Sequence, residues 1–254
     1  MSNMRIWDAV PKTDRSYTQN ANVDGNRQTA VSGLYMVKLA TEVLGPIGED
    51  WGFSVVEERF DNTAPMVVKA GNDKEMPVYM MDNGAMVWEQ VHTLKLRLWH
   101  GAKENTVEQY GHTPYRYMTK SGKVYCDKEY AKKSLTDALK KCLSLLGICA
   151  DVYMGMFDDQ AYVAAADTEN ALKKADNADA ELMKQIDAFR AEVADSVKAI
   201  GLAPNMDAVG KLFGLAANKI DRKAAVLGLN ADAEKEPINV AYFERERVLK
   251  GSQE

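Results

Sequence analysis

The stretch Lys132 to Asp159, KKSLTDALKKCLSLLGICADVYMGMFDD, decides how the rest of the chain is read. Leu135, Ala138, Leu139, Cys142, Leu146 and Cys149 recur at helical spacing, and Lys132, Lys133, Asp137, Lys140, Lys141 and Ser144 fall elsewhere on the cylinder. The pattern predicts a helix with one apolar face for a core and one basic face. Such a basic face suits a phosphate backbone, because each ammonium displaces condensed counterions. It equally suits a solvated surface on which Lys133, Asp137 and Lys141 form an i,i+4 charge ladder.

Upstream, the even positions of Met86 to Trp99 (Trp88, His92, Leu94, Leu96, Leu98) are mostly apolar, whereas Lys95 and Arg97 project from the other face. That is a strand packed on one side. Further strand-like runs occupy Trp51 to Phe60, Met66 to Lys69, Val78 to Met81 and Val107 to Tyr117. Their connections are too short for crossover helices, so the sheet is expected to be an antiparallel β-meander. Val31, Leu34, Tyr35, Val37, Leu39, Ala40, Val43 and Leu44 predict a helix over Thr29 to Leu44, stopped by Gly45 and Pro46. The expected fold class is therefore α+β, the sheet packed on the helices 29–44 and 132–149.

Residues up to Gln28 carry turn formers (Pro11, Asp14, Asn20, Asn22, Asp24, Gly25) and predict an irregular arm. From Ala164 the composition becomes small and polar, which predicts a linker or frayed helix over 165–178 between a domain at 1–164 and a helical C-terminal module at 179–254. In that module Leu182, Ile186, Phe189, Val193, Val197 and Ile200 mark one amphipathic helix, and Met206 to Leu229 a second.

The 254 residues carry a net charge of −5, but not evenly: Arg116 to Lys141 holds eight Lys/Arg against three Asp/Glu. Phosphate contacts act within about a Debye length, roughly 8 to 10 Å, so a local basic island outweighs an acidic total. Cys142 and Cys149 lie seven residues apart on one helix face, about 10 Å along its axis, too far for a disulfide, and no Cys/His spacing suits a metal. No stretch resembles a membrane span or signal peptide, so a cytoplasmic location is expected. No P-loop, dinucleotide turn, nucleophile elbow or zinc-protease helix occurs, and the chain is expected to be neither an enzyme nor dependent on a cofactor. Tyr110, Tyr115 and Tyr117 are candidate aromatic platforms or core residues.

Ser134 to Gly147, SLTDALKKCLSLLG, resembles the helix with Thr-Asp-Gly-Leu-Lys-Arg-Ala-Leu and a closing Phe-Gly in the Rad-fifty-two family of single-strand-annealing recombination proteins, a group that includes phage ERF-type annealers. KLATEVLGPIGEDWGFSV (Lys38 to Val55) resembles the family's opening helix, Gly turn and Trp-led strand, and LKLRLWHGAKENTVEQYGHTPY its strand pair. The resemblance covers roughly Gly33 to Asp159. It implies a homo-oligomeric ring that binds single-stranded DNA by its backbone and anneals complementary strands without ATP, in phage-type homologous recombination and DNA repair. By position it carries DNA contact onto Lys132, Lys140 and Lys141. Ala138 replaces a family Gly, Ser144 a basic residue, and Tyr35 a basic residue of the opening helix. The last two departures remove phosphate contacts, which implies either a weaker groove or one that recruits Lys38, Lys95, Arg97 or Lys128 instead. The C-terminal module is then expected to recruit a single-strand-binding protein or an exonuclease. Two alternatives are a passive single-strand-binding protein and a metal-dependent nuclease using Asp151, Asp158 and Asp159.

Overall fold

In a computed structural model, residues 2–23, 26–69 and 76–251 are described. Along the chain run α1 (Arg5–Ala9), β1 (Thr18–Val23), β2 (Asn26–Val31), α2 (Gly33–Leu44), β3 (Trp51–Pro65), β4 (Val67–Lys69), β5 (Val78–Tyr79), β6 (Met81–Asp82), β7 (Ala85–Met86), β8 (Trp88–His100), β9 (Ala102–Met118) and β10 (Val124–Cys126). Then come α3 (Tyr130–Leu145), α4 (Ala150–Tyr153), α5 (Gln160–Lys174), α6 (Ala178–Gly201), α7 (Met206–Leu227) and α8 (Ala231–Gly251). They form two compact units, one of residues 1–11 and 31–150, the other of residues 12–30 and 151–254.

The first unit is an α+β layer. A four-stranded antiparallel sheet in the order β10-β9-β8-β3 lays α3 across β8 and β9, with α2 packed on α3. Leu94, Leu96 and Leu98 of β8 face the helices and are buried with Tyr35, Met36 and Leu39 of α2 and Ala138, Cys142 and Leu143 of α3. The alternation along β8 and the 3.6-residue repeat along α3 thus meet in one core. Helix α3 stops at Leu145, before Gly147, whose φ of +94° ends the helical path. The outer edge of β3 has no strand beside it among the described residues, and Phe53, Val55 and Phe60 stay exposed along it.

Two expectations for the N-terminal region change. Thr29 to Ser32 is not helical, because Thr29 and Val31 belong to β2 and the helix opens only after Ser32. The lead-in is not irregular either: it holds α1 and the two-stranded sheet β1-β2.

The second unit is helical. Phe189, Val193 and Ile200 of α6, Val209, Ile220 and Ala224 of α7, and Ile238 and Ala241 of α8 form its core. The linker expected at 165–178 lies for the most part within α5, where Ala161, Tyr162, Val163, Ala165, Ala166 and Thr168 are buried. An apolar stripe made chiefly of alanine carries little hydrophobicity, yet alanine is the strongest helix former, so composition alone misleads here. Asp159 starts this helix by accepting from the Ala161 and Tyr162 N–H groups at 2.9 and 3.3 Å. No helix among the described residues is long and apolar enough to cross a membrane.

Candidate nucleic-acid interface

The corner where β9, β10 and α3 meet gathers the basic island. Thr119 closes a tight turn with Lys123: its N–H and hydroxyl donate to the Lys123 carbonyl at 2.8 and 2.9 Å, and its Oγ1 accepts from the Lys123 N–H at 3.1 Å. Gly122, at φ +75°, supplies the left-handed step. The turn displays Lys120 and Lys123, both exposed. In β10, Tyr125 stands opposite Tyr117, their ring centroids 5.5 Å apart, and Tyr125 is 48% exposed although it lies on the sheet edge.

Beyond β10 the buried Asp127 fixes the entry to α3. Its carboxylate accepts from the Lys133 ammonium at 2.5 Å and from the Glu129 N–H at 2.8 Å, and these bonds hold it below the usual carboxylate range. Helix α3 itself starts without a side-chain cap and without an acidic residue in its first turn. That turn instead carries Lys132, 80% exposed and 3.3 Å from Glu129, and Lys133, with Lys128 just outside. Cations at the positive end of a helix dipole repel it unless anions join them. Lys120, Lys123 and Lys128 have no ion-pair partner among the described residues.

The other candidate cations are engaged elsewhere. Lys141 donates to the Tyr110 carbonyl at 3.1 Å and to Asp137 at 2.7 Å, while Asp137 also accepts from the His112 N–H at 3.1 Å. This triad ties α3 to β9. The expected ladder therefore holds only between Asp137 and Lys141, since Lys133 turns to Asp127. Lys140 is half-buried, its stem beside Gly33 at the start of α2, and burial pulls its ammonium below the ordinary lysine range against the opposing pull of Asp137. Lys38 faces Glu42 at 3.5 Å one turn along α2. Lys95 and Arg97 both hold Glu108, at 2.5 and 2.6 Å, on the face of the sheet away from the helices. On that face Arg59 pairs with Glu57 and Asp61, and the Tyr110 hydroxyl donates to Glu57 at 3.2 Å, so its charges are largely compensated.

Of the seven predicted contacts, only Lys128 and Lys132 stand together at the open corner. Lys120 and Lys123, which complete it, were visible in the sequence as part of the basic island, but only the turn and the pairing pattern distinguish them from committed neighbours.

The helix side of the sheet continues from this corner as a run of rings. Tyr115 lies 4.9 Å from Tyr130 and 4.7 Å from Phe60, and Phe60 lies 5.2 Å from His92. The fully buried His92 bridges β3 and α3, with Nε2 2.9 Å from Glu58 Oε1 and Nδ1 2.9 Å from Ser134 Oγ. Ser134 is buried and donates to Thr113 at 2.9 Å, so this serine–histidine–glutamate set is a brace with its hydroxyl shut away from solvent.

In the second unit the three carboxylates considered for a metal diverge in their roles. Asp151 accepts from the Thr13 N–H and hydroxyl at 2.9 and 2.5 Å and from the Tyr162 hydroxyl at 2.7 Å. Asp159 caps α5 and pairs with Arg222 at 2.7 Å. Asp158 lines a cleft of about 670 Å³ with Arg15, Asn20, Phe157, Asp167 and Asn218. Among the described residues no three His, Cys, Asp or Glu side chains come together as a metal site.

No protein-family model matches the chain, and no curated protein matches it.

Proposed function

We propose that the chain binds single-stranded DNA at the β9–β10–α3 corner and anneals complementary strands without ATP, in phage-type homologous recombination and repair. The carrying observation is the run through the β9–β10 turn into α3, which bears Lys120, Lys123 and Lys128 exposed and without ion-pair partners among the described residues, and Lys132 80% exposed beside Glu129, cations that a phosphate backbone can engage. Backbone contacts of this kind leave base edges free to sample a second strand, and no bond-making residue is needed. The order of the helix, turn, strand pair and basic helix resembling the annealing family supports the annealing step. That resemblance also carries the remaining parts of the proposal: a homo-oligomeric ring, a bacterial cytoplasmic setting, and recruitment of a single-strand-binding protein or exonuclease by the helical second unit.

The test is the pairing rate of two complementary dye-labelled oligonucleotides, with EDTA and without nucleotide. The protein is expected to accelerate pairing, and the Lys120→Ala/Lys123→Ala/Lys128→Ala variant to lose most of the acceleration. Tight binding without acceleration would leave a passive single-strand binder, and no binding would overturn the proposal.

A further inference from the structure

We infer that the Tyr117–Tyr125 pair is a stacking platform for unpaired nucleobases, so that the strand is held by its base faces as well as by its phosphates. The inference rests on the proposed function. Three features of the structure carry it. Tyr125 is nearly half exposed on β10, an edge strand where a bare aromatic ring invites unwanted pairing and where charge is the usual protection. Its partner across the ladder, Tyr117, is only half-buried and tilted by 56°, so the two rings offer a stepped surface and not a closed core contact. Unpaired cations flank that surface along the chain, Lys123 preceding β10 and Lys128 following it, while Lys133, paired with Asp127, lies within electrostatic reach of both phenols. An exposed ring beside lysines spaced along one strand fits a polymer whose phosphates and planar bases alternate.

Stacking accepts every base, because each has a π-face, and it leaves the hydrogen-bonding edges outward. The platform thus takes single strands without base preference and still presents their edges to a complement. A base-paired duplex stacks its faces internally, so it has none to offer the pair.

The experiment compares binding of a dye-labelled single-stranded oligonucleotide with that of an abasic oligonucleotide of equal length, by anisotropy at one salt concentration. The intact chain is expected to bind the base-bearing strand about five- to a hundred-fold more tightly. Tyr125→Leu should erase most of that difference and leave abasic binding unchanged, while Tyr125→Phe, which keeps the ring, should preserve it. Equal binding of both strands by the intact chain would overturn the stacking platform and leave the phosphate corner standing. A base preference that survives Tyr125→Leu would overturn the role of this pair. Failure to bind either strand would remove the proposed function and the platform with it.

Discussion

Gly111 of β9 lies directly beneath the Ser134 carbonyl of α3, so closely that a Cβ at position 111 would overlap that oxygen and come within 2.7 Å of the Ala138 nitrogen. Both obstacles are helix backbone, which cannot rotate aside as a side chain would. The absence of a side chain at Gly111 therefore sets the distance between α3 and the sheet, and with it the position of Lys132 and Tyr130 at the corner.

Gly111→Ala should destabilise the first unit by about 3 kcal/mol or more, the upper range of overpacking costs, because helix and strand must part. Denaturant unfolding of the intact chain measures it. A change below about 1 kcal/mol would show that α3 can slide without loss.

The lysines of the corner and those of α3 divide by what holds them. Lys120→Ala, Lys123→Ala and Lys128→Ala together should weaken DNA binding and flatten the log–log salt slope by about two units, near 0.7 per phosphate contact on a single strand. Lys141→Ala should act differently: it leaves the Tyr110 carbonyl and Asp137 without their shared donor and lowers stability by about 1 to 2 kcal/mol while changing the slope little. A slope change equal to that of the triple variant would return Lys141 to the interface.

The division between these lysines explains how far the sequence was legible. The apolar face of α3 and the alternation of Leu94, Leu96 and Leu98 are local periodicities, and they mark the core residues without reference to any contact. Salt-bridge partners are not local in that sense. Glu108 faces Arg97 only because the β8–β9 hairpin turns at Gly101, and Lys141 reaches Tyr110 across thirty-one positions. Hence Lys95, Arg97 and Lys141 look as free in the sequence as Lys120, although of these four Lys120 alone has no ion-pair partner among the described residues. Helix α5 was hidden for the opposite reason, since its alanine stripe carries shape without hydrophobic contrast.

The cysteines should react unequally. Cys126 is exposed on β10, whereas Cys142 and Cys149 are buried, and burial pushes the Cys142 thiol up to about 11. Thiolate is the reactive form, so Cys142 remains protonated and shielded at neutral pH. Iodoacetamide at pH 7.5 should give one adduct per chain, mapped to Cys126 by peptide mass spectrometry. Bound oligonucleotide should slow it, because Cys126 adjoins Tyr125. Equal labelling of all three would mean that the helix–sheet core opens on the reaction timescale.

Acid should release the segment Lys12–Tyr17 from α5 in the second unit. Thr13 is bound to Asp151, Asn170 donates to the Lys12 and Thr13 carbonyls at 3.4 and 3.5 Å, Lys12 pairs with Glu169 at 3.0 Å, and Asp14 pairs with Lys174. Burial pushes the Asp14 carboxyl up, but Lys174 and the Ser16 donors outweigh it and hold the group below its ordinary range; Glu169 behaves likewise through Lys173 and Lys12. A depressed carboxyl contributes support that is complete above its unfolded value and is lost as pH falls through its folded one. Asp167 runs the other way, since burial raises it and protonation in mild acid relieves a cost. The attachment should therefore hold at pH 5 and weaken progressively as pH falls below the ordinary carboxylate range and through the depressed values of Asp14 and Glu169. Hydrogen exchange of residues 12–17, compared at pH 5 and pH 3 after correction for intrinsic rates, should show protection lost there before α6 and α7. Asp14→Asn should remove much of that pH dependence, and protection that persists at pH 3 would place the anchoring on Thr13 and Asn170 instead.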